Sequence, residues 1–302
     1  MLFSVIVSTF NRAHLLPQTL DSVLAQTLTD YEIIVVDDGS TDGTRAYLKS
    51  LGSRVTCLFQ PNQGPGAARN LGAGQANGEY CAFLDSDDVW FPWTLKCFAE
   101  LIKRYEHPAI LTARRADFSQ ESDLGAVKET ALKAEAFSDY FASHRHDYFV
   151  GAGMSVLRRE EFLSSRGYST QISNSEDHDV AFRMGEARGF VQIVQPVTLA
   201  YRRHSGSITR DSRRSFEGAH YLVEQERSGH YPGGSARARA RHTIITKRTR
   251  PVTIALSRHG FLREAWALYR ATFRWNLALG RWKYLGGFPV KSLHDWISAA
   301  VY

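Results

Sequence analysis

Cysteine is scarce in this chain: Cys57, Cys81 and Cys97 are the only three, and no two form a CxxC pair. An odd, unclustered set argues against a disulfide framework or a thiolate zinc site and reads as reduced, intracellular thiols. Long apolar runs are also missing. No stretch approaches the roughly 20 apolar residues of a membrane-spanning helix. The opening MLFSVIVSTFNR has no basic leader, and its apolar run is too short for a signal peptide. These absences predict a cytoplasmic protein. No internal repeat is visible, and no nucleic-acid module appears, so a nucleic-acid partner is not expected.

At 302 residues, with 43% hydrophobic and 23% charged, the chain has enough apolar material for a sizeable core, which excludes wholesale disorder. The net charge of +6 hides an asymmetry. Residues 201–302 hold 19 Lys and Arg against 6 Asp and Glu, whereas residues 1–200 hold 18 against 25. The basic third suits phosphate-rich partners such as nucleotides or anionic lipid.

The first hundred residues alternate between two patterns. FSVIVST (3–9), 32–36, RVTCLF (54–59) and EYCAFL (79–84) read as strands. Between them, Leu15, Leu16, Leu20, Val23 and Leu24 recur at helical spacing, DDGSTDGT forms a turn with Asp42 and Thr44 as candidate caps, and a small-residue helix covers 66–76. Strand and helix in alternation predict an α/β domain with a mostly parallel sheet. Ligands gather at the carboxyl ends of such strands. Three polar loops fall there: 9–12, 37–40 and 85–88.

The last of these lies in FLDSDDVW (83–90), where Asp85, Asp87 and Asp88 crowd together. Carboxylates this close repel unless solvent, donors, a proton or a cation offsets the cost. Asp85 and Asp87 can converge on a hard divalent ion, Mn2+ or Mg2+, completed by water and phosphate oxygens. Taken alone, the tripeptide reads equally well as loop acids and a helix cap. DSDDV also fits the nucleophile motif of haloacid-dehalogenase-like phosphatases, although that motif normally follows a first strand and here several precede it. The Asp37–Asp38 pair is similar to phospho-receiver domains, which are about one-third of this length.

Taken in order along roughly residues 3–210, these segments resemble the family 2 glycosyltransferases, inverting enzymes of GT-A fold. FSVIVSTFNRAHLLPQTLDSVLAQT looks like their opening strand and helix, and YEIIVVDDGSTDGT like the second strand and nucleotide loop. NQGPGAARNLGAGQANGEYCAFLDSDD looks like the diphosphate loop, helix and metal motif. EDHDVAFRM and YRRHSGSIT look like the acceptor-side motifs. The resemblance implies a GT-A catalytic domain over 1–210, divided into a nucleotide-sugar half (1–105) and an acceptor-side half (106–210), followed by a basic helical region, 211–302. It implies that Thr9, Asn11, Arg12, Asp38, Arg69, Asp85 and Ser86 contact a nucleoside-diphosphate sugar, with UDP favoured. Asp87 and His204 would sit on the metal side, and Asp177 would be the general base. Gly153, Met154 and Glu176 would face a glycan or lipid-linked acceptor. Glu176 stays open as an alternative base, Asp179 as a structural partner, and His178 reads as a solvent-facing or capping residue. A nucleotide sensor of the same fold is the alternative from another functional class. It would have no need of Asp177.

Residues 261–282 read as a helix in which Arg263, Arg270, Arg274 and Arg281 fall within an arc of about 40°, although Gly280, with Gly286, Gly287 and Pro289 beyond it, argues against one continuous helix. Trp266, Tyr269, Phe273 and Leu277 crowd another side. Such a helix suits peripheral docking on an anionic inner membrane face, or packing on the catalytic domain with a solvated arginine face.

Overall fold

β1 (Phe3–Thr9) is buried along its whole length. Phe3, Val5 and Val7 face one core and Ile6 the other. A strand covered on both faces needs such a continuous apolar run. The computed structural model describes residues 1–120, 122–203 and 211–301, and side chains up to residue 295.

β1 sits inside an eight-stranded sheet with β2 (Tyr31–Asp37), β3 (Thr56–Phe59), β4 (Tyr80–Asp85), β6 (Ile110–Thr112), β8 (Lys133–Phe137), β9 (Ser155–Arg158) and β10 (Phe190–Gln195). Its order is β3-β2-β1-β4-β9-β6-β10-β8. The run β3-β2-β1-β4 is parallel, as is β6 with β10. β9 runs antiparallel to both neighbours, and β8 to β10. β5 (Val89–Trp90), β11 (Leu199–Arg202) and β7 (Arg115–Phe118) form a small second sheet. The chain builds outward from β1 to β3 and then returns to place β4 on the other flank of β1. This reversal opens a crevice between the carboxyl ends of β1 and β4, where Ser8 pairs with Asp85.

One face of the sheet carries α1 (Leu16–Leu24), α2 (Thr44–Ser50) and α4 (Thr94–Arg104), whose leucines and Phe98 complete the first core. The other face carries α3 (Pro65–Gly74), α6 (Arg159–Ser164) and α7 (Glu176–Arg183); the short α5 (Ser122–Gly125) lies in the loop after β7. Leu222 and Val223 of α8 (Ser212–Arg227), and Ala240 and Ile245 of α9 (Gly234–Arg258), join this second core, so the basic helices pack directly against the sheet domain. A buried ion cluster ties α8 to α9: Arg241 Nε lies 2.7 Å and His242 Nε2 3.0 Å from Glu226.

The helix expected over 261–282 stops short, at the glycine that argued against its continuity. α10 (Leu262–Ala278) ends at Gly280, whose φ of +66° closes a left-handed turn with Arg281 N–H bonded to the Asn276 carbonyl. α11 (Trp282–Val301) then doubles back. Arg281 therefore leaves the arginine stripe. Trp266 and Tyr269 turn inward onto Phe288, while Phe273 and Leu277 stay exposed.

Candidate active site

The β1/β4 crevice opens into a cavity of about 700 Å³. Ser8, Thr9, Phe10, Arg12, Asp38, Asn62 and Gly64 line one end. Thr9 Oγ1 is buried and has no partner among the described residues, a hydroxyl available to a ligand. Asp38 accepts from Gln60 Nε2 (2.7 Å) and from the backbone N–H of Gln63 and Gly64, so it holds the loop that enters α3. Asn11 braces rather than lines the cavity: its N–H donates to Ser40 Oγ, and its Oδ1 accepts from the Thr41 N–H at 2.8 Å. The expected caps Asp42 and Thr44 do not cap α2, whose N-cap position is Gly43 with no side-chain bond; Asp42 instead accepts from the N–H of Thr44 and of Ala13, and Thr44 Oγ1 from the Arg12 N–H, which ties the two loops together.

The acidic turn forms the floor. Asp88 N–H bonds the Asp85 carbonyl at 3.1 Å, which folds 85–88 back on itself. Ser86 and Asp87 line the cavity, and Arg12 Nε lies 3.7 Å from Asp87. Asp88 points inward. Burial, then the charges of Asp85 and Asp87, push its carboxyl well above the usual carboxylate range. Its Oδ2 has no partner among the described residues, while Oδ1 accepts from the Arg202 N–H. Arg202 also donates to the Asp87 carbonyl, so β11 clamps the turn from the far side.

Among the described residues no group of three or more His, Cys, Asp or Glu is placed to hold an ion. An ion carried with a diphosphate needs only one or two protein carboxylates. Asp85 and Asp87 supply that number, and the orphaned Asp88 oxygen beside them shows where positive charge is short. These residues fit a nucleotide-borne Mn2+ or Mg2+. His204 lies outside the described residues.

Arg69 joins the floor to the opposite wall. It donates to Asp85 Oδ1 at 2.7 Å and to Glu176 Oε1 at 3.1 Å, and stacks over Tyr168. Burial disfavours its charge, but the two carboxylates more than offset this, so the guanidinium stays protonated. Gly153 makes room for the same contact: a Cβ there would stand 2.6 Å from Asp85 Oδ2. Met154 lines the cavity beside it.

Glu176 and Asp177 open α7 after Ser175, which adopts a left-handed φ of +70°. Strain of that kind costs about 1–3 kcal/mol and persists only when its surroundings enforce it. α8 does so here: a Cβ on Gly218 would stand 2.2 Å from the Asn174 carbonyl oxygen, so the helix packs directly on the turn. Burial raises the Glu176 carboxyl, and Asp177 adds to the rise against Arg69. Burial also works to raise Asp177. The charge and hydrogen bond of His178 overcome it, with help from Arg248, and hold Asp177 below the usual range. Asp177 is thus the carboxylate kept ionised, and Glu176 the one bound to an arginine. Asp179 bonds Arg183 and the Tyr231 hydroxyl, a structural position.

His178 corrects its sequence reading. It is buried, donates or accepts at 2.7 Å with Asp177 and rests edge-on against Phe149. Sequence reasoning also passed over Arg202, Arg115, Arg214 and Arg248. Arg202 lies within YRRHSGSIT, so a local signal existed; Arg214 and Arg248 have none, because α8 and α9 reach the cavity only through tertiary packing.

The family model described as Glycosyl transferase family 2 matches residues 4–190. An uncharacterized glycosyltransferase of Nostoc sp. is 46% identical over 107 residues, 34% of this chain and 33% of that protein, so the match spans about a third of the relative's length. The crystal structure of S. aureus TarS 1–349 in complex with UDP-GlcNAc superposes with a TM-score of 0.74 at 20% identity, covering 98% of this chain and 89% of that one. The mannosyltransferase PcManGT of Pyrobaculum calidifontis, in complex with GDP-Man and Mn2+, gives 0.52 at 18% identity, covering 97% and 86%. The fold is therefore GT-A, and the phosphatase and receiver readings fall away.

Proposed function

The chain belongs to glycosyl transferase family 2, and from that premise we propose that it transfers a sugar, with inversion, from a nucleoside-diphosphate sugar to a glycan or lipid-linked acceptor. The observation that carries this reading is the single cavity in which Arg69 links the Asp85 turn to the Glu176–Asp177 wall. A diphosphate has a place at one end and a base at the other.

Thr9 and the loop held by Asp38 receive the nucleotide, and Arg12 faces its phosphates. UDP is favoured, as in the TarS complex. Asp85 and Asp87 would hold a divalent ion, which when bound would supply Lewis-acid stabilisation of the leaving diphosphate. The acceptor oxygen bonds to the anomeric carbon while the bond from that carbon to the diphosphate oxygen breaks. Asp177 takes the hydroxyl proton. His178 orients the Asp177 carboxylate, and Arg69 fixes Asp85 so that the sugar sits between the two walls. The product class fits surface polysaccharide or glycoconjugate synthesis.

α11 leaves Trp282, Val290 and Leu293 exposed on one face beside Lys283, with Phe273, Arg270 and Arg274 exposed on neighbouring α10. No helix among the described residues is long and apolar enough to cross a membrane. The mixed cationic and apolar surface suits peripheral attachment to an anionic bilayer on the cytoplasmic side. Flotation with anionic liposomes tests it, and absence of binding at low salt ends it.

Calorimetric titration of UDP, GDP and dTDP, each with Mn2+ and with EDTA, tests the donor reading. Metal-dependent binding of UDP is expected; no binding of any nucleotide would remove it.

A further inference from the structure

Two arginines of the basic helices reach the cavity with no part of the donor or acceptor assigned to them in the reaction described above. Arg248 of α9 and Arg214 of α8 both line it. Arg248 Nη2 donates to Asn174 Oδ1 at 3.1 Å, which places the guanidinium against the turn that opens into Asp177. Arg214 stands four residues before Gly218, hence on the helix face that packs on the same turn.

Arg248 makes no ion pair among the described residues, and its buried Nε–H has no hydrogen-bond partner there. Arg214 is exposed, and its one ion pair among the described residues is with Asp211, at 3.4 Å. A partly buried guanidinium with no ion-pair contact loses hydration for only a partial Coulombic return, here from the Asp177 charge. The two acids of that wall have their hydrogen-bond partners elsewhere, Asp177 in His178 and Glu176 in Arg69, so the fork of Arg248 is left for another anion. The planar fork of arginine matches phosphate oxygens in pairs. The donor's diphosphate already has a place at the Asp85–Asp87 turn with Arg12, whereas Arg248 sits on the side of the base.

We propose that Arg248, with Arg214 and Asn174, forms an anion subsite that holds a phosphate group of the acceptor and so presents the neighbouring hydroxyl to Asp177. The inference rests on the glycosyltransferase reading and narrows it: the acceptor is a phosphate ester, either a phosphorylated polyol or glycan, or a lipid phosphate.

The test uses sn-glycerol 3-phosphate as the probe and glycerol as its uncharged control. Each is titrated into the full chain saturated with UDP and Mn2+. The ester should bind and glycerol should not. R248Q should weaken the ester by about tenfold or more, and R248K by less. R214Q, on an exposed residue, should weaken it by about threefold. UDP affinity should stay within about twofold in all three. Competition by a soluble glycerol-phosphate oligomer, or by polyprenyl phosphate in detergent micelles, then identifies the source; displacement by neither overturns the proposal. So does unchanged ester affinity in R248Q, equal binding of glycerol, or a matching loss of UDP, which would give the arginine to the donor. If R248Q does not fold, unchanged ester affinity in R214Q and R248K overturns it. Failure of UDP to bind the wild type would instead remove the donor reading beneath it.

Discussion

At one end of the cavity, Thr9, Arg12, Asp38, Asp85 and Asp87 all stand within a few residues of the carboxyl end of β1, β2 or β4. At the other, the wall is assembled from 149–154, 173–177 and single residues of α8 and α9. The donor end inherits its geometry from strand order: a parallel strand that ends at the edge delivers its loop there. The acceptor end has no such rule. It depends on packing, with Gly218 pressed on Asn174 and His178 held against Phe149. Substitutions at the donor end should therefore change nucleotide binding, and those at the acceptor end should change transfer while sparing it.

The sharpest separation should come from Asp177→Asn. Transfer should fall by ~10²–10⁴-fold, the usual worth of a general base, with UDP affinity kept. Unchanged transfer would move the base to Glu176. Arg69→Met should break the comparison itself, because this residue serves both ends. It strands Glu176 in a buried site, so unfolding free energy should drop by about 3–5 kcal/mol, read from denaturant midpoints, and both activities should suffer. Gly218→Ala should cost about 1–3 kcal/mol of overpacking and lower transfer without weakening UDP. An equal loss of UDP affinity would show that the turn before Asp177 also shapes the donor end.

The smallest effect concerns pH. Asp177 has a lowered folded value, chiefly because His178 outweighs burial. The stability this contributes is present above the unfolded carboxylate value of about 3.9 and is lost as pH falls through the folded one. With Asp177 as base, the acid limb of the transfer profile lies below that value. Glu176 is raised by burial, so a limb above the ordinary glutamate value of about 4.3 would assign the base to it instead.

Legibility in the sequence follows the same division. β1 matches its expected span, and β2 and β4 lie within one residue of theirs, because buried parallel strands are continuous apolar runs; β3, an edge strand with no buried residue, starts two residues later than expected. The loops at their ends carry the donor residues, so reading the strands locates that end of the site. His178 was misread because one polar residue in EDHD carries no sign of the Phe149 ring that covers it. Arg248 was missed because nothing near it in the chain differs from the other arginines of α9. The join at Gly280 was legible: glycine is a poor helix former, and its backbone ends the helix although the arginine periodicity runs through it.

The most direct test of a cavity with separable ends is UDP titration with Mn2+ on Asp87→Ala and Asp177→Asn side by side. UDP binding should fall by more than the roughly 10–100-fold typical of an outer-shell metal partner in the first and stay at the wild-type level in the second. Equal loss in both, or loss in neither, would contradict it.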